Sequence, residues 1–174
     1  MKLDSVRLYL KHLSLDALDG NYVYWLNDKE VCKYNSHGEI EYTKDMALDF
    51  INSLKDDKSK EVYAVYLKEN DTHIGNISLQ KIDYKNNSVE IAYLFGEKEY
   101  WGKGYAKEAS EVLIKRAFDE LNLHRIYFGT HVENLSMQKL GENLGFKREG
   151  QQKDAQYKNG KYNNIVLYGM TKGS

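Results

Sequence analysis

Short runs that alternate apolar and polar residues are interleaved with longer amphipathic ones along this chain, and their periods predict most of its elements. SVRLYLK (5–11) alternates with period two, as a strand with one buried face does. The segment 14–28, opened by Ser14, reads as a helix despite Gly20. A second helix is predicted over 43–57, where Thr43 can cap the first turn and Met46, Phe50, Ile51 and Leu54 share a face. EVYAVYLK and THIGNISLQKIDY flank Glu69-Asn70-Asp71 and read as a hairpin. A turn at KNNS leads to another strand, VEIAYLF (89–95), and then to the loop GEKEYWGKG. Ala106, Ala109, Leu113, Ala117 and Leu121, widened by Ile114 and Phe118, form the apolar stripe of a long helix. HRIYFGTHV (124–132) is strand-like, and 136–145 is a short helix closed by Gly145. The C-terminal run predicts two strands around Lys158-Asn159-Gly160, a sequence that favours a type I′ turn. Strands and helices mix without strict alternation, and no linker, repeat or low-complexity segment divides the chain. The pattern therefore predicts one α+β domain with a mixed sheet over 1–174.

Composition narrows the functional classes. Hydrophobic residues at 41% and charged ones at 29% are those of a globular chain. With 25 basic and 26 acidic residues, no net charge points to nucleic acid or to an anionic membrane. Cys32 is the sole cysteine, so no intramolecular disulfide and no cysteine-based metal site can form, and the histidines at 12, 37, 73, 124 and 131 lack metal-ligand spacing. No metal is expected. The N-terminal MKLDSVRLYL has no long apolar run, so neither a signal peptide nor a membrane span is expected, and the expected location is the cytoplasm. Proline is absent while Lys, Asn, Tyr and Ile abound, which reads as codon bias in an AT-rich genome; the 15 tyrosines therefore weigh little as a sign of an aromatic site.

The loop at 100–106, YWGKGYA, carries the chemistry. Glycine is costly in regular structure, and two of them at Gly102 and Gly104 directly before a helix suggest a backbone that something approaches closely. A helix N-terminus offers unpaired N–H groups and a partial positive charge, which suits a phosphate. The spacing is not that of a Walker loop, and the GxGxxG dinucleotide fingerprint is absent. On composition alone, a plain tight turn remains an equal reading.

The order of elements removes that tie. A strand, YWGKGYAKEA, a helix, a strand, ENLSMQKLGENLGF and a further strand together resemble the GNAT superfamily of acetyl-CoA-dependent N-acetyltransferases, in particular its RimJ/RimL-like branch. The resemblance covers about residues 3 to 171 and is strongest from 89 to 149. It implies a mixed, mostly antiparallel seven-stranded sheet flanked by about four helices and splayed between the fourth and fifth strands. It also implies that Trp101, Gly102, Lys103, Gly104, Tyr105 and Ala106 form the pyrophosphate loop of acetyl-CoA, with Trp101 standing where the family pattern has Gln or Arg. Leu94 and Phe95 would lie at the splay, where the strand edge pairs with pantetheine and one N–H polarises the thioester carbonyl. A preorganised donor at such a developing charge is worth ~3 kcal/mol.

An amine of pKa near ~10.4 must lose a proton before it attacks. The family often places a glutamate for this on the strand that Glu90 occupies, although an ordinary strand carboxylate is an even alternative. Asn134 stands where family members often contact the cofactor or a catalytic water; a helix cap is its plainer reading. Two departures stand out. Gly141 occupies the position where many members carry a tyrosine acid for the leaving thiolate, and Met137 stands where a serine is usual. A thiol pKa near ~8.5 makes unaided departure tolerable.

The region 24–37, in which WLND-x-EV is common in this branch, would wall the acceptor site through Trp25, Asn27, Tyr34, Asn35 and His37, with core packing as the plainer reading for Trp25. Its net-neutral, Tyr- and Asn-rich composition suits an amino sugar or a nucleotide-linked amino sugar better than a polyamine. Direct attack in a ternary complex is the implied mechanism. A protein N-terminal acetyltransferase and a non-catalytic coenzyme A-binding module are the rival readings, and a homodimer is left open. His131 and Cys32 read as structural.

Overall fold

The computed structural model describes residues 1–174. Eight strands form one sheet: β1 (Lys2–Asp4), β2 (Leu8–His12), β3 (Glu61–Leu67), β4 (His73–Asp83), β5 (Ser88–Phe95), β6 (Arg125–His131), β7 (Lys147–Lys158) and β8 (Lys161–Thr171). Their order is β1-β2-β3-β4-β5-β6-β8-β7. The sheet has one strand more than the expected seven. Lys2–Asp4 pairs antiparallel with Tyr9–Lys11, a three-residue edge too short to show as a period in the sequence. The helices are α1 (Tyr22–Asn27), α2 (Lys44–Ser53), α3 (Tyr105–Lys115) and α4 (Leu135–Leu144).

The local signals mostly act as expected. Thr43 accepts from the Met46 N–H at 3.2 Å and starts α2. Gly145, at φ 97°, closes α4 in the left-handed region. Asn159 and Gly160 both take positive φ, as the tight turn between β7 and β8 requires. The helix expected over 14–28 is instead two pieces, a 3₁₀ turn at Leu15–Asp19 and α1. Gly20 is extended between them, and the Ser14 hydroxyl turns to the Asp16 carboxylate instead of capping the backbone.

The position of β3 explains why it lacks polar alternation from Val62 to Leu67. Tyr63, Val65 and Leu67 face the core that holds Ala109, Leu113 and Ala117 of α3 and its continuation. Val62, Ala64 and Tyr66 face a second core with Trp25, Leu26, Ala47 and Ile51 of α1 and α2. Helices thus cover both sheet faces, and a strand buried on both loses the usual polar alternation. Each fully buried Leu or Ile in these cores contributes roughly 1.5–3 kcal/mol.

All pairings are antiparallel except that of β5 with β6. These two align only at Ser88–Glu90 against Arg125–Tyr127. Beyond that, β5 stays with β4 as far as Phe95, and β6 stays with β8 as far as His131. The sheet therefore opens between them, at the pair that sequence order makes the fourth and fifth of the seven expected strands.

Candidate functional site

A cleft of about 1440 Å³ occupies this opening. One half is framed by the end of β5, the 101–106 loop and the start of α3; the other is framed by the 30–37 segment, α2 and the end of β6.

In the first half, Gly102 and Gly104 take φ of 73° and 82°, a region that side-chain-bearing residues enter at a cost. No heavy atom lies within 4 Å of where a Cβ on Gly102 would stand. The N–H groups of Gly102, Lys103 and Gly104 have no backbone acceptor, and α3 starts without a side-chain cap. The loop thus offers unpaired donors at a helix N-terminus, two of them on residues without a Cβ, an arrangement that fits a pyrophosphate. Arg7 fastens it from below: its guanidinium donates to the Lys103 carbonyl at 3.0 Å and to Glu108 at 2.7 Å, and lies over the Tyr105 ring. Trp101 donates its indole N–H to the Phe95 carbonyl at 2.9 Å, which ties the loop to the strand end at the splay. Leu94 and Phe95 line the cleft there, where one edge of β5 has no strand partner. Tyr105 and Ala106 line it from α3, whereas Lys103 contributes backbone but does not line the wall.

Glu90 lines the cleft at the base of the opening. Its carboxylate accepts from Lys81 Nζ at 2.8 Å. Asn134 also lines it, but both ends of its amide are engaged: Oδ1 accepts from the Met137 N–H at 3.2 Å and Nδ2 donates to Thr130 Oγ1 at 3.1 Å. Asn134 therefore caps α4 and keeps one amide hydrogen free.

Tyr34, Asn35 and His37 line the second half of the cleft. His37 Nδ1 is 2.9 Å from the Tyr42 hydroxyl. Burial, helped by the nearby Lys158 charge, holds its imidazole below the ordinary histidine value, so it is neutral at pH 7. Two expected residues lie outside the cleft. Trp25 is 1% exposed, donates its indole N–H to Glu97 Oε1 at 2.9 Å and packs against His73 in the second core. Asn27 spends its amide on the Tyr42 backbone, accepting from N–H at 2.8 Å and donating to C=O at 2.9 Å. The Trp25 side chain points inward because α1 buries its apolar face, Tyr22, Trp25 and Leu26, against the sheet, whereas Asn27 stays at the exposed end of α1.

His131, which the sequence reads as structural, stands at the end of β6. It is buried, it lines the cleft, and its Nδ1 accepts from the Glu133 N–H at 3.0 Å. That bond leaves the ring proton on Nε2 in the neutral form. Its ring packs against Tyr34 at 5.1 Å. The available signal was its position at the end of a strand bordering the splay. Met46 and Phe50, placed on the buried face of α2 by periodicity, are 40% and 36% exposed and line the cleft, while Ala47 and Ile51 fill the core.

The acetyltransferase (GNAT) domain model matches residues 7–147. An uncharacterized N-acetyltransferase of Bacillus licheniformis is 32% identical over 95% of this chain and 93% of its own length. The chain belongs to the GNAT acetyltransferase family. A ribosomal-protein-serine acetyltransferase of Escherichia coli is 31% identical over 56% of the chain and 54% of its own length. The crystal structure of a spermidine N-acetyltransferase from Vibrio cholerae in complex with CoA and spermine superposes with a TM-score of 0.86 at 26% identity, covering 95% of this chain and 96% of that one. The fold is that of a GNAT domain, with its mostly antiparallel open sheet and four helices. The protein is an acetyl-CoA-dependent acyltransferase that transfers to nitrogen. Acetyl-CoA, the cosubstrate, supplies an activated acetyl thioester. No helix is long and apolar enough to cross a membrane.

Proposed function

We propose that this GNAT protein acetylates a primary amine on a small molecule, an amino sugar or a nucleotide-linked amino sugar, by direct attack in a ternary complex. The observation that carries this reading is the charge of the cleft. Lys33, Lys60, Lys107 and Lys139 line it, against only Glu30 and Glu90. Both carboxylates are already engaged, Glu30 with Lys98 at 2.8 Å and Glu90 with Lys81 at 2.8 Å. A polyamine would bring several positive charges into a wall with no free carboxylate, and like charges in a partly enclosed site repel strongly. Neutral hydroxyls and a phosphate suit tyrosine, asparagine and lysine better.

In this reading the amides of the 101–106 loop hold the pyrophosphate, with Trp101 bracing the loop against Phe95. The free edge of Leu94–Phe95 accepts pantetheine. Glu90 takes the amine proton, directly or through water, and Lys81 holds its carboxylate in place through the 2.8 Å ion pair. Asn134 orients the cofactor or a water with its free amide hydrogen. Tyr34, Asn35 and His37 contact the acceptor. The reading treats 1–174 as one catalytic domain working in the cytoplasm, alone or as a homodimer.

Similarity to the ribosomal-protein-serine acetyltransferase favours a second reading, acetylation of a protein N-terminus. A thiol-release assay over amino sugars, nucleotide-linked amino sugars, amino acids, peptides and spermidine separates the two. We expect turnover with the sugars. Preference for spermidine or for peptides would overturn the proposal.

A further inference from the structure

The segment from 28 to 42 has no regular strand or helix, yet it supplies Tyr34, Asn35 and His37 to the cleft wall. Irregular backbone exposes polar groups that no ladder satisfies, so its shape depends on side-chain ties. Asn27 closes the base through its two bonds to Tyr42. The other tie comes from far along the chain. Lys158, the last residue of β7, is 5% exposed, and its ammonium enters the concave side of the loop. It donates to the carbonyls of Cys32, Asn35 and His37, the last at 2.9 Å. An ammonium has three hydrogens, so its donors are fully used, on three acceptors that only this bent backbone brings together. Two neighbours on the same hairpin help. Gln156 Nε2 donates to the Tyr34 carbonyl at 3.3 Å, and the Asn159 N–H donates to Glu39 Oε1 at 2.6 Å.

We propose that Lys158 is a positioning residue for the acceptor half of the cleft: it fixes the loop conformation that presents Tyr34, Asn35 and His37. The claim rests on the reading above that this half takes the acceptor. An extended loop would leave the Lys158 charge without acceptors in a buried place, so the tie selects one loop conformation. Arginine is no equivalent, because a planar fork cannot converge on three carbonyls surrounding a point.

Cys32 is the reporter. It is the only thiol, is 1% exposed, and lies inside the loop with its Sγ donating to the Trp25 carbonyl at 3.1 Å. The experiment is labelling of Cys32 by dithiobis-nitrobenzoate in the full chain, at fixed pH and across urea concentrations below the unfolding transition. Lys158→Met keeps the stem and removes the donors. It should raise the labelling rate about tenfold or more, the scale of a lost charge-assisted bond. The rise should depend little on urea, as local opening does, while the melting shift given by coenzyme A is unchanged. With the fastest amine of the thiol-release panel, KM for the amine should rise more than KM for acetyl-CoA. Lys158→Arg should show the same local labelling with smaller amplitude, and it serves alone if Lys158→Met does not fold. Labelling at the wild-type rate, labelling that rises only with global unfolding, or equal changes in both KM values would overturn the proposal. If the amine panel gave no turnover with wild type but Cys32 still responded, the acceptor reading would fall, and with it the role in positioning an acceptor, while the loop tie itself would stand.

Discussion

Phe128 stands where a side chain on Gly141 would have to go: a Cβ there would lie 2.5 Å from Phe128 Cζ. The Phe128 ring is itself held, stacked on Tyr168 at 5.1 Å and edge-on to Phe146. The absence of a tyrosine acid at position 141 is therefore built into the core between α4 and β6. Gly141→Tyr should not raise turnover, and it should lower the melting temperature, since forcing atoms into a packed core costs ~1–3 kcal/mol. A thermal melt and a thiol-release rate on the same variant check both halves. Faster turnover with unchanged melting would show that the position can host the acid after all.

Acetyl-CoA should raise the melting temperature by mass action, by about 2.7 kcal/mol of stability at a hundred times its dissociation constant. Gly104→Val should weaken that shift and raise KM for acetyl-CoA more than KM for the amine. Gly104 sits at φ 82°, where a β-branched residue is strained, and its Cβ side is open apart from Arg7 at 3.5 Å. Unchanged cofactor affinity in a folded Gly104→Val protein would remove the loop from the pyrophosphate site.

Glu90→Gln should lower kcat about 10²-fold or more while leaving coenzyme A binding nearly intact. The deficit should shrink as pH rises, because more of the amine is then neutral without help. Asn134→Ala is the comparison. It should cost activity with a weaker pH dependence and also some stability, because it uncaps α4. Wild-type turnover of Glu90→Gln at neutral pH would leave His37, or water with no dedicated base, as the next candidate.

Stability should fall on mild acidification. Burial holds His12, His37 and His73 below the ordinary histidine value, and His73, between Tyr66 and Trp25, also has an unpartnered Nδ1. A folded histidine that resists protonation leaves the unfolded chain holding more protons once the pH drops below about 6.5, so acid favours unfolding from there downward. A separate loss should begin lower, near the carboxylate range. There burial pushes Glu61 up but the hydrogen bonds from Arg116 and Tyr63 outweigh it, so protonating it costs the fold. Urea midpoints at about pH 7.5 and 5.5 test the first window, in which His73→Gln should flatten the slope. A midpoint that does not move between them would refute the assignment.

What the sequence determined by itself is what short-range physics encodes. The hairpin of Asn159 and Gly160, the Thr43 cap, the Gly145 stop and the two positive-φ glycines of the 101–106 loop each need only a few neighbouring residues, and period gave nearly every strand and helix. Order and spacing of those parts carried the family resemblance. Tertiary structure decided where side chains with two credible fates would go. Trp25 turned inward because α1 packs on β3, and Asn27 was drawn to the Tyr42 backbone, while Met46 and Phe50 turned to the cleft because the sheet splays beside α2. His131 faces the opening because β6 leaves β5 after three paired residues. Lys158 reads in the sequence as a surface charge at a hairpin tip. It becomes a buried tie only because the hairpin folds over a loop more than 120 residues earlier in the chain, as its bond to the His37 carbonyl shows. Nothing local to either segment specifies that contact, and only the packed sheet brings them together.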